Sequence, residues 1–186
     1  MQKQRKSMMT TKTLAYCALL AALSVVLARL VVPMPNASTR FSIEAVPIFI
    51  AGMLFGPVSG ALVGFTADFV GCMFSGYGFN PLLAIPPILY GLGAGLMRWY
   101  LCSKPNLLRV SLSWLPPVVI GSVLYQSVTL AWFYPKGEYL ASIVYYLSTR
   151  SIQFAITIVL DIVIVFSLCK SRIFQRMGVW PVRKEQ

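Results

Sequence analysis

The stretch TRFSIEAVPIFIAGMLFGPVSGALVGFTADFVG, residues 39–71, is as apolar as a membrane span but too long for a single crossing. A helix of roughly 20 residues crosses the hydrocarbon core of a bilayer, so this stretch holds enough residues for two short crossings. Proline lacks a backbone N–H and clashes with the preceding helical turn. The pair Gly56-Pro57 therefore predicts the break between two helices.

A series of small residues follows this break. Gly56, Gly60 and Gly64 recur at every fourth position, and Asp68 continues the series. A spacing of four places all of them on one face of a helix. Glycines at this spacing are typical of close helix packing in membranes. A carboxylate within a span is costly and usually faces the bundle interior or a cavity, so Asp68 is a candidate for a functional site.

The composition predicts a membrane protein with several spans. The chain has 186 residues, of which 58% are hydrophobic and 11% are charged, whereas soluble domains carry about 25% charged residues. This length leaves no room for a soluble catalytic or nucleotide-binding domain. The net charge of +11 comes from basic residues at the ends of the apolar runs. The four cysteines have no metal-ligand spacing and the chain has no histidine, so we expect no metal site.

The apolar runs predict an all-α integral membrane fold with six transmembrane helices and one domain over residues 1–186. The expected helices cover about 13–32, 42–55, 57–74, 82–101, 114–133 and 140–168. Pro116-Pro117 is placed in the first turn of the fifth helix, where proline is tolerated. Most of the 16 basic residues fall on the side that carries both termini. The positive-inside rule then predicts cytoplasmic N and C termini.

Basic residues also occur on the predicted outer side. Arg29, Arg40 and Arg150 converge there, and guanidinium groups bind carboxylates through paired hydrogen bonds. The three arginines indicate an anionic ligand, and the alternative is that Arg29 and Arg150 extend to lipid headgroups.

Two polar stripes indicate a cavity. The predicted sixth helix has one polar face in an otherwise apolar sequence, formed by Tyr146, Arg150, Gln153, Thr157 and Asp161. The predicted fifth helix has a second polar face, formed by Ser122, Gln126 and Thr129. Such stripes either join helices by hydrogen bonds or line a water-accessible site. We assign the outer residues to a site, and we interpret Asp161 as a structural partner because it lies deeper.

The predicted outer turn SGYGFNP, residues 75–81, contains Tyr77, Phe79 and Asn80. Aromatic faces beside an amide suit a flat heteroaromatic ligand, which needs stacking and hydrogen bonds at its edge. The alternative is an aromatic belt at the membrane interface.

At this point the chain resembles a known family, the S components of energy-coupling factor (ECF) vitamin transporters. The resemblance rests on six spans and on Ala18 and Ala22 in the first helix. The run RFSI, then Pro47, AGMLFGPVSGALVG and Ala67-Asp68 through Gly71, resembles the folate-specific (FolT) family, as do GFNP and YGLGAGL. The likeness covers about residues 14–100. It departs from the family at the turn, where Asn80-Pro81-Leu82 replaces an aromatic-aromatic-Pro-Gly pattern.

This resemblance implies a high-affinity folate-binding subunit in the plasma membrane of a bacterium, without enzyme activity or a cofactor of its own. The family's S component works with a transmembrane coupling protein and two cytoplasmic ATPases, and the resemblance assigns Ala18 and Ala22 to the contact with the coupling protein. No phosphate-binding loop occurs in the sequence. The residues predicted to bind folate are Arg29, Arg40, Phe41, Asp68, Tyr77, Phe79, Asn80, Gln126, Trp132, Tyr146, Arg150 and Gln153.

Other functions stay open. An S component for another vitamin is the first alternative: cationic thiamine conflicts with the arginines, and neutral riboflavin leaves them unexplained. A secondary transporter often shows internal repeats with broken helices in both halves, and only the first half has such a break. An enzyme would need a catalytic constellation, whereas Asp68 and Asp161 lie on separate helices without histidine. The last alternative is a structural membrane protein.

Overall fold

The computed structural model describes residues 10–29, 32–33, 40–41, 43–75, 78–103, 106–171 and 173–180. Its elements, in chain order, are α1 (Thr11–Leu27), β1 (Val32–Pro33), β2 (Arg40–Phe41), α2 (Ala45–Phe55), α3 (Pro57–Ser75), α4 (Ile85–Leu96), α5 (Arg98–Ser103), α6 (Leu107–Pro117), a π-helical segment (Val118–Tyr125), α7 (Gln126–Phe133), α8 (Tyr139–Lys170) and α9 (Ile173–Arg176). The expectation of an all-α fold is confirmed, apart from a two-residue antiparallel pairing of β1 with β2.

The outside of the bundle is suited to lipid. Three helices are long and apolar enough to cross a membrane, namely Pro57–Phe74, Leu107–Phe133 and Tyr139–Lys170, and three shorter apolar helices accompany them. Leu108, Phe74 and Leu140 are 70%, 72% and 73% exposed, while Ser113 and Ser127 are completely buried. Soluble proteins show the opposite arrangement, so the chain is a membrane protein.

The break at Gly56-Pro57 separates α2 from α3. Gly56 has a φ of 100°, a conformation that glycine adopts without the steric cost of a Cβ. Pro57 is the first residue of α3, where a backbone N–H is not required. The short α2 is buried along almost its whole length, and it therefore forms the centre of the bundle.

Glycines bring α2, α3 and α4 into backbone contact. A Cβ on Gly60 would overlap the Gly52 Cα and the carbonyl of Gly91, and one on Gly64 would overlap the carbonyl of Pro87. The four-residue glycine series thus serves close helix packing, as its spacing predicts. The neighbouring core includes Phe49 stacked on Trp114, with ring centroids 4.3 Å apart.

Three helix boundaries differ from those expected. The first helix ends at Leu27 instead of residue 32, because a residue before proline is disfavoured in the α conformation and Val32, which precedes Pro33, is extended. The fourth starts at Ile85 with prolines in its first turn and is interrupted at Met97, so these prolines open the helix instead of disturbing its interior.

The fifth helix starts at Leu107, not at Trp114, so Pro116 and Pro117 lie in its interior. Proline removes a backbone donor and displaces the carbonyl one turn earlier. The wider π-helical turns of Val118–Tyr125 follow directly, and such turns accommodate a local change in helical pairing.

The described ends of the chain lie together at one end of the bundle. Tyr16, near the start of α1, stacks on Phe55 with ring centroids 5.9 Å apart. Cys169, at the end of α8, lies with its Sγ 3.9 Å from the Sδ of Met53. At the opposite end, α1 finishes, α3 finishes and α8 begins. This opposite end holds the site.

Candidate functional site

A cavity of about 590 Å³ opens between α1, α2, α3, α4, the π-helical segment, α7 and α8. Small-molecule sites in proteins occupy roughly 300–1,000 Å³, so the cavity is large enough for a vitamin-sized ligand. It is lined by residues from both halves of the chain, and Gly78 and Tyr134 lie among its lining residues at the end away from the termini.

The polar stripe of α8 forms one wall of this cavity. All five of its members line the cavity: Tyr146, Arg150, Gln153, Thr157 and Asp161. Their spacing of three and four residues keeps them on one helical face. Tyr146 donates a hydrogen bond to the carbonyl of Tyr134 across 2.9 Å, which ties the start of α8 to the end of α7.

Arg150 is held by the neighbouring helix. Its Nη1 donates a hydrogen bond to Oε1 of Gln126 across 3.0 Å, and both side chains line the cavity. The amide is neutral, so it orients the guanidinium without neutralising its charge. The wall therefore offers an oriented, partly buried cation to a ligand.

The opposite wall comes from α1 and α3. Arg29 donates from Nη2 to the carbonyl of Gly71 across 2.9 Å, which joins the ends of these two helices. Asp68 lies one turn before Cys72, whose Sγ is 3.9 Å from Oδ2 of Asp68. Arg29 and Asp68 both line the cavity, and this wall therefore also presents charges of both signs.

The inner end of the cavity is polar as well. The hydroxyl groups of Tyr90 and Ser122 are 2.6 Å apart and buried. Ser24 donates to the backbone carbonyl of Glu44 across 2.7 Å. Glu44 and Asp161 also line the cavity, and Asp161 is only 3% exposed.

The predicted site residues divide into three groups. Seven line the cavity: Arg29, Asp68, Asn80, Gln126, Tyr146, Arg150 and Gln153. Asn80 also accepts a hydrogen bond from the N–H of Leu82 across 3.1 Å, which stabilises the turn before α4.

Two predicted residues do not line the cavity. The ring of Phe79 packs edge-on against Phe65 and Phe69, with centroid distances of 5.8 and 5.0 Å. Trp132 is 72% exposed and contacts Tyr139. Helical phase explains the position of Trp132: Gln126 lines the cavity and the buried Thr129 and Ala131 also face the interior, whereas Trp132 turns outward.

The remaining three predictions concern Arg40, Phe41 and Tyr77. Tyr77 lies outside the described residues, and for Arg40 and Phe41 the structure describes only the backbone of β2. The structure therefore leaves these three as predictions.

Sequence reasoning missed several lining residues. Tyr90 and Glu44 lie on different segments, and no spacing in the sequence connects them, whereas Ser122 belongs to the polar stripe that also contains Gln126. Thr157 and Asp161 did have a signal, because they continue the α8 stripe. Their depth led to a structural interpretation of Asp161, although it lines the same cavity as Arg150.

The outward face of α1 carries the predicted alanine pair. Ala18 and Ala22 are both exposed, and Leu19 beside them is 63% exposed. Alanines on an exposed helical face allow a second helix to approach closely.

This fold and cavity define a class: small, all-helical membrane proteins that enclose a site for a small molecule. The comparisons with known proteins then identify the family. A family model described as "ECF-type riboflavin transporter, S component" matches residues 8–170. The chain belongs to this family, whose members are transporter subunits and not enzymes.

Two solved structures share the fold. The crystal structure of FolT bound with folic acid has a TM-score of 0.72 and 22% identity, covering 87% of this chain and 95% of that one. The S component for biotin from an ECF-type ABC transporter has a TM-score of 0.55 and 20% identity, with the same coverages. A relative from Mycoplasma pneumoniae, "Uncharacterized protein MG098 homolog", is 38% identical over 74 residues. That match covers 40% of this chain and 15% of the relative.

Proposed function

We propose that this chain captures folate at the outer side of a bacterial plasma membrane and releases it inward as the S component of an ATP-driven importer. The observation that carries the proposal is the Arg150 guanidinium, which lines the cavity and is oriented by Gln126. Folate has two carboxylates on its glutamate tail, and guanidinium–carboxylate hydrogen bonds are strong and directional. Membership of the S component family and the fold shared with folate-bound FolT support this proposal.

Riboflavin is the second candidate, because the matching family model is described by that vitamin. Riboflavin has no carboxylate. It would leave the cavity-lining cations Arg29 and Arg150 without a ligand group of opposite charge. Arg150 is partly buried, and covering such a cation with a neutral ligand costs free energy that no ion pair offsets. We therefore favour folate.

We further propose that α1 docks on a transmembrane coupling protein, with two cytoplasmic ATPases completing the importer. The exposed Ala18 and Ala22 form the contact. The same assignment places both termini in the cytoplasm, because the basic residues are concentrated near them. The cavity end then faces the outside, where the vitamin is captured.

Binding to the purified chain in detergent tests the ligand. Isothermal titration calorimetry with folic acid, riboflavin, thiamine and biotin gives the four affinities side by side. We expect tight binding of folic acid and at least 100-fold weaker binding of the others, because a polar site rejects ligands that leave its buried groups unpaired. Tight riboflavin binding with no folic acid binding would refute the ligand assignment.

A bulky substitution tests the docking face. Ala22→Trp should prevent co-purification with the coupling protein while the affinity for folic acid stays unchanged. Val163→Trp is the matched control, because Val163 is 55% exposed on α8. Normal assembly of the Ala22→Trp protein would contradict the proposed contact.

A further inference from the structure

Asp161 is the one charged side chain among the fully buried polar residues of the described part of the chain. It is 3% exposed, it lines the cavity, and its Oδ1 has no hydrogen-bond partner within that part of the protein. Burying a polar atom without a hydrogen-bond partner destabilises the folded state by the free energy of desolvating that atom. This penalty is larger for a carboxylate. A carboxyl group that borders a cavity and has one oxygen without a partner therefore points to a ligand.

The described neighbours of Asp161 do not supply the missing donor. The hydroxyl groups of Tyr90 and Ser122 line the same cavity and pair with each other, and neither is a hydrogen-bond partner of Oδ1 of Asp161. Glu44 also lines the cavity, and an ionised carboxylate has no hydrogen to donate. Arg150 lies eleven positions earlier on α8, which at 1.5 Å per residue is about 16 Å along the helix axis. The donor for Asp161 must therefore come from the ligand.

We infer that Asp161 is the specificity-determining residue at the inner end of the cavity and binds two adjacent N–H donors on the ligand's ring. The inference rests on the proposed function and extends it to one part of the ligand. The pterin ring of folate carries a ring N–H beside an exocyclic amino group, and the two oxygens of a carboxylate accept from both. The corresponding edge of riboflavin is an imide, which has a single N–H between two carbonyl groups and therefore lacks the second adjacent donor.

This assignment also orients the ligand. The carboxyl group of Asp161 at the inner end accepts hydrogen bonds, the guanidinium of Arg150 nearer the opening donates them, and both lie on one helical face. The ring of folate then enters first, and its glutamate tail stays near Arg150. An elongated ligand with donors at one end and carboxylates at the other matches this polarity.

Paired pteridine probes test the inference. Pterin carries the 2-amino group, and lumazine has a carbonyl in its place. Calorimetry on the wild-type chain should give pterin at least a 10-fold higher affinity than lumazine. In Asp161→Asn this preference should disappear, and the affinity for folic acid should fall by about 10- to 100-fold, the usual effect of losing hydrogen bonds to a charged group.

The control variant is Val163→Ala, because Val163 lies on the exposed face of the same helix. It should retain both the folic acid affinity and the preference for pterin. Asp161→Ser serves as a second variant if the Asp161→Asn protein does not fold. The comparison of pterin with lumazine on the wild-type chain needs no variant.

The outcomes separate the inference from the proposed function. Tight folic acid binding by wild type with equal affinity for pterin and lumazine would overturn the inference alone. Unchanged folic acid affinity and an unchanged preference in Asp161→Asn would also overturn it. Failure of the wild-type chain to bind folic acid would overturn the proposed function, and the role of Asp161 with it.

Discussion

The two halves of the α3 helix follow different physical rules. In the first half, Gly60 and Gly64 bring the backbone against α2 and α4 with no space for a side chain. In the second half, Asp68 and Gly71 border a cavity of about 590 Å³. The first half excludes side chains larger than glycine at these positions, whereas the second half retains polar and charged groups at membrane depth. The tightly packed first half thus acts as a rigid support for the polar cavity.

The largest expected effect comes from filling the glycine contact. Gly60→Val adds atoms that overlap the backbone of Gly52 and Gly91, and overpacking against backbone has no flexible side chain to yield. We expect a loss of about 3 kcal/mol or more in the free energy of unfolding. The measurement is the midpoint of thermal unfolding in detergent, together with the yield of monodisperse protein.

Gly71→Ala is the matched control for this prediction. A Cβ at Gly71 meets no atom within 4 Å, and Gly71 lies on the same helix. This variant should unfold within a few degrees of the wild type. If both variants unfold at the same temperature, the contrast between the two halves of α3 is wrong.

The second effect is on the charged wall of the cavity. Arg150→Ala should weaken folic acid binding by about 10- to 100-fold, because hydrogen bonds between charged groups contribute more than neutral ones. Arg150→Lys keeps the charge without the paired donors, so its affinity for folic acid should lie between those of the wild type and Arg150→Ala. The affinity is measured by calorimetry. An unchanged affinity in Arg150→Ala would show that the glutamate tail does not bind at this wall.

A smaller effect is expected from the residue that orients this cation. Gln126→Leu removes the hydrogen bond to Arg150 but leaves the charge in place, so folic acid binding should weaken by about 5-fold, in line with one hydrogen bond to a charged group at the lower end of its range. Thr129→Val is the control, since Thr129 bonds only the carbonyl of Tyr125 in the described structure. Equal losses in both variants would indicate a general effect on α7.

The smallest effect is expected at Trp132, where the sequence-based prediction and the structure disagree. Trp132 is among the residues predicted from the sequence to bind folate, but it is 72% exposed and is not among the residues that line the cavity. Trp132→Phe should change the folic acid affinity by less than about two-fold, as substitutions at the surface usually do. A larger loss of affinity, measured by the same calorimetry, would indicate that Trp132 contacts the ligand.

Local patterns account for much of what could be predicted. The break at Gly56-Pro57, the glycine series of α3 and the polar stripe of α8 each depend on residues close in sequence. Proline was harder to interpret: the sequence pattern predicts Pro116 and Pro117 in the first turn of a helix, whereas the structure has them inside one. The π-helical turns that accommodate them depend on the surrounding bundle.

The sequence by itself determined the class of fold, the membrane environment, the helix break and seven lining residues, because hydrophobicity and helical periodicity are properties of neighbouring residues. Only the tertiary structure decided which side chains share the cavity. Tyr90 and Ser122 are 32 positions apart and meet at 2.6 Å, and Asp161 lies at the inner end of the cavity without a partner of its own among the described residues. Their proximity depends on how separate helices pack, and no periodicity within one helix encodes it.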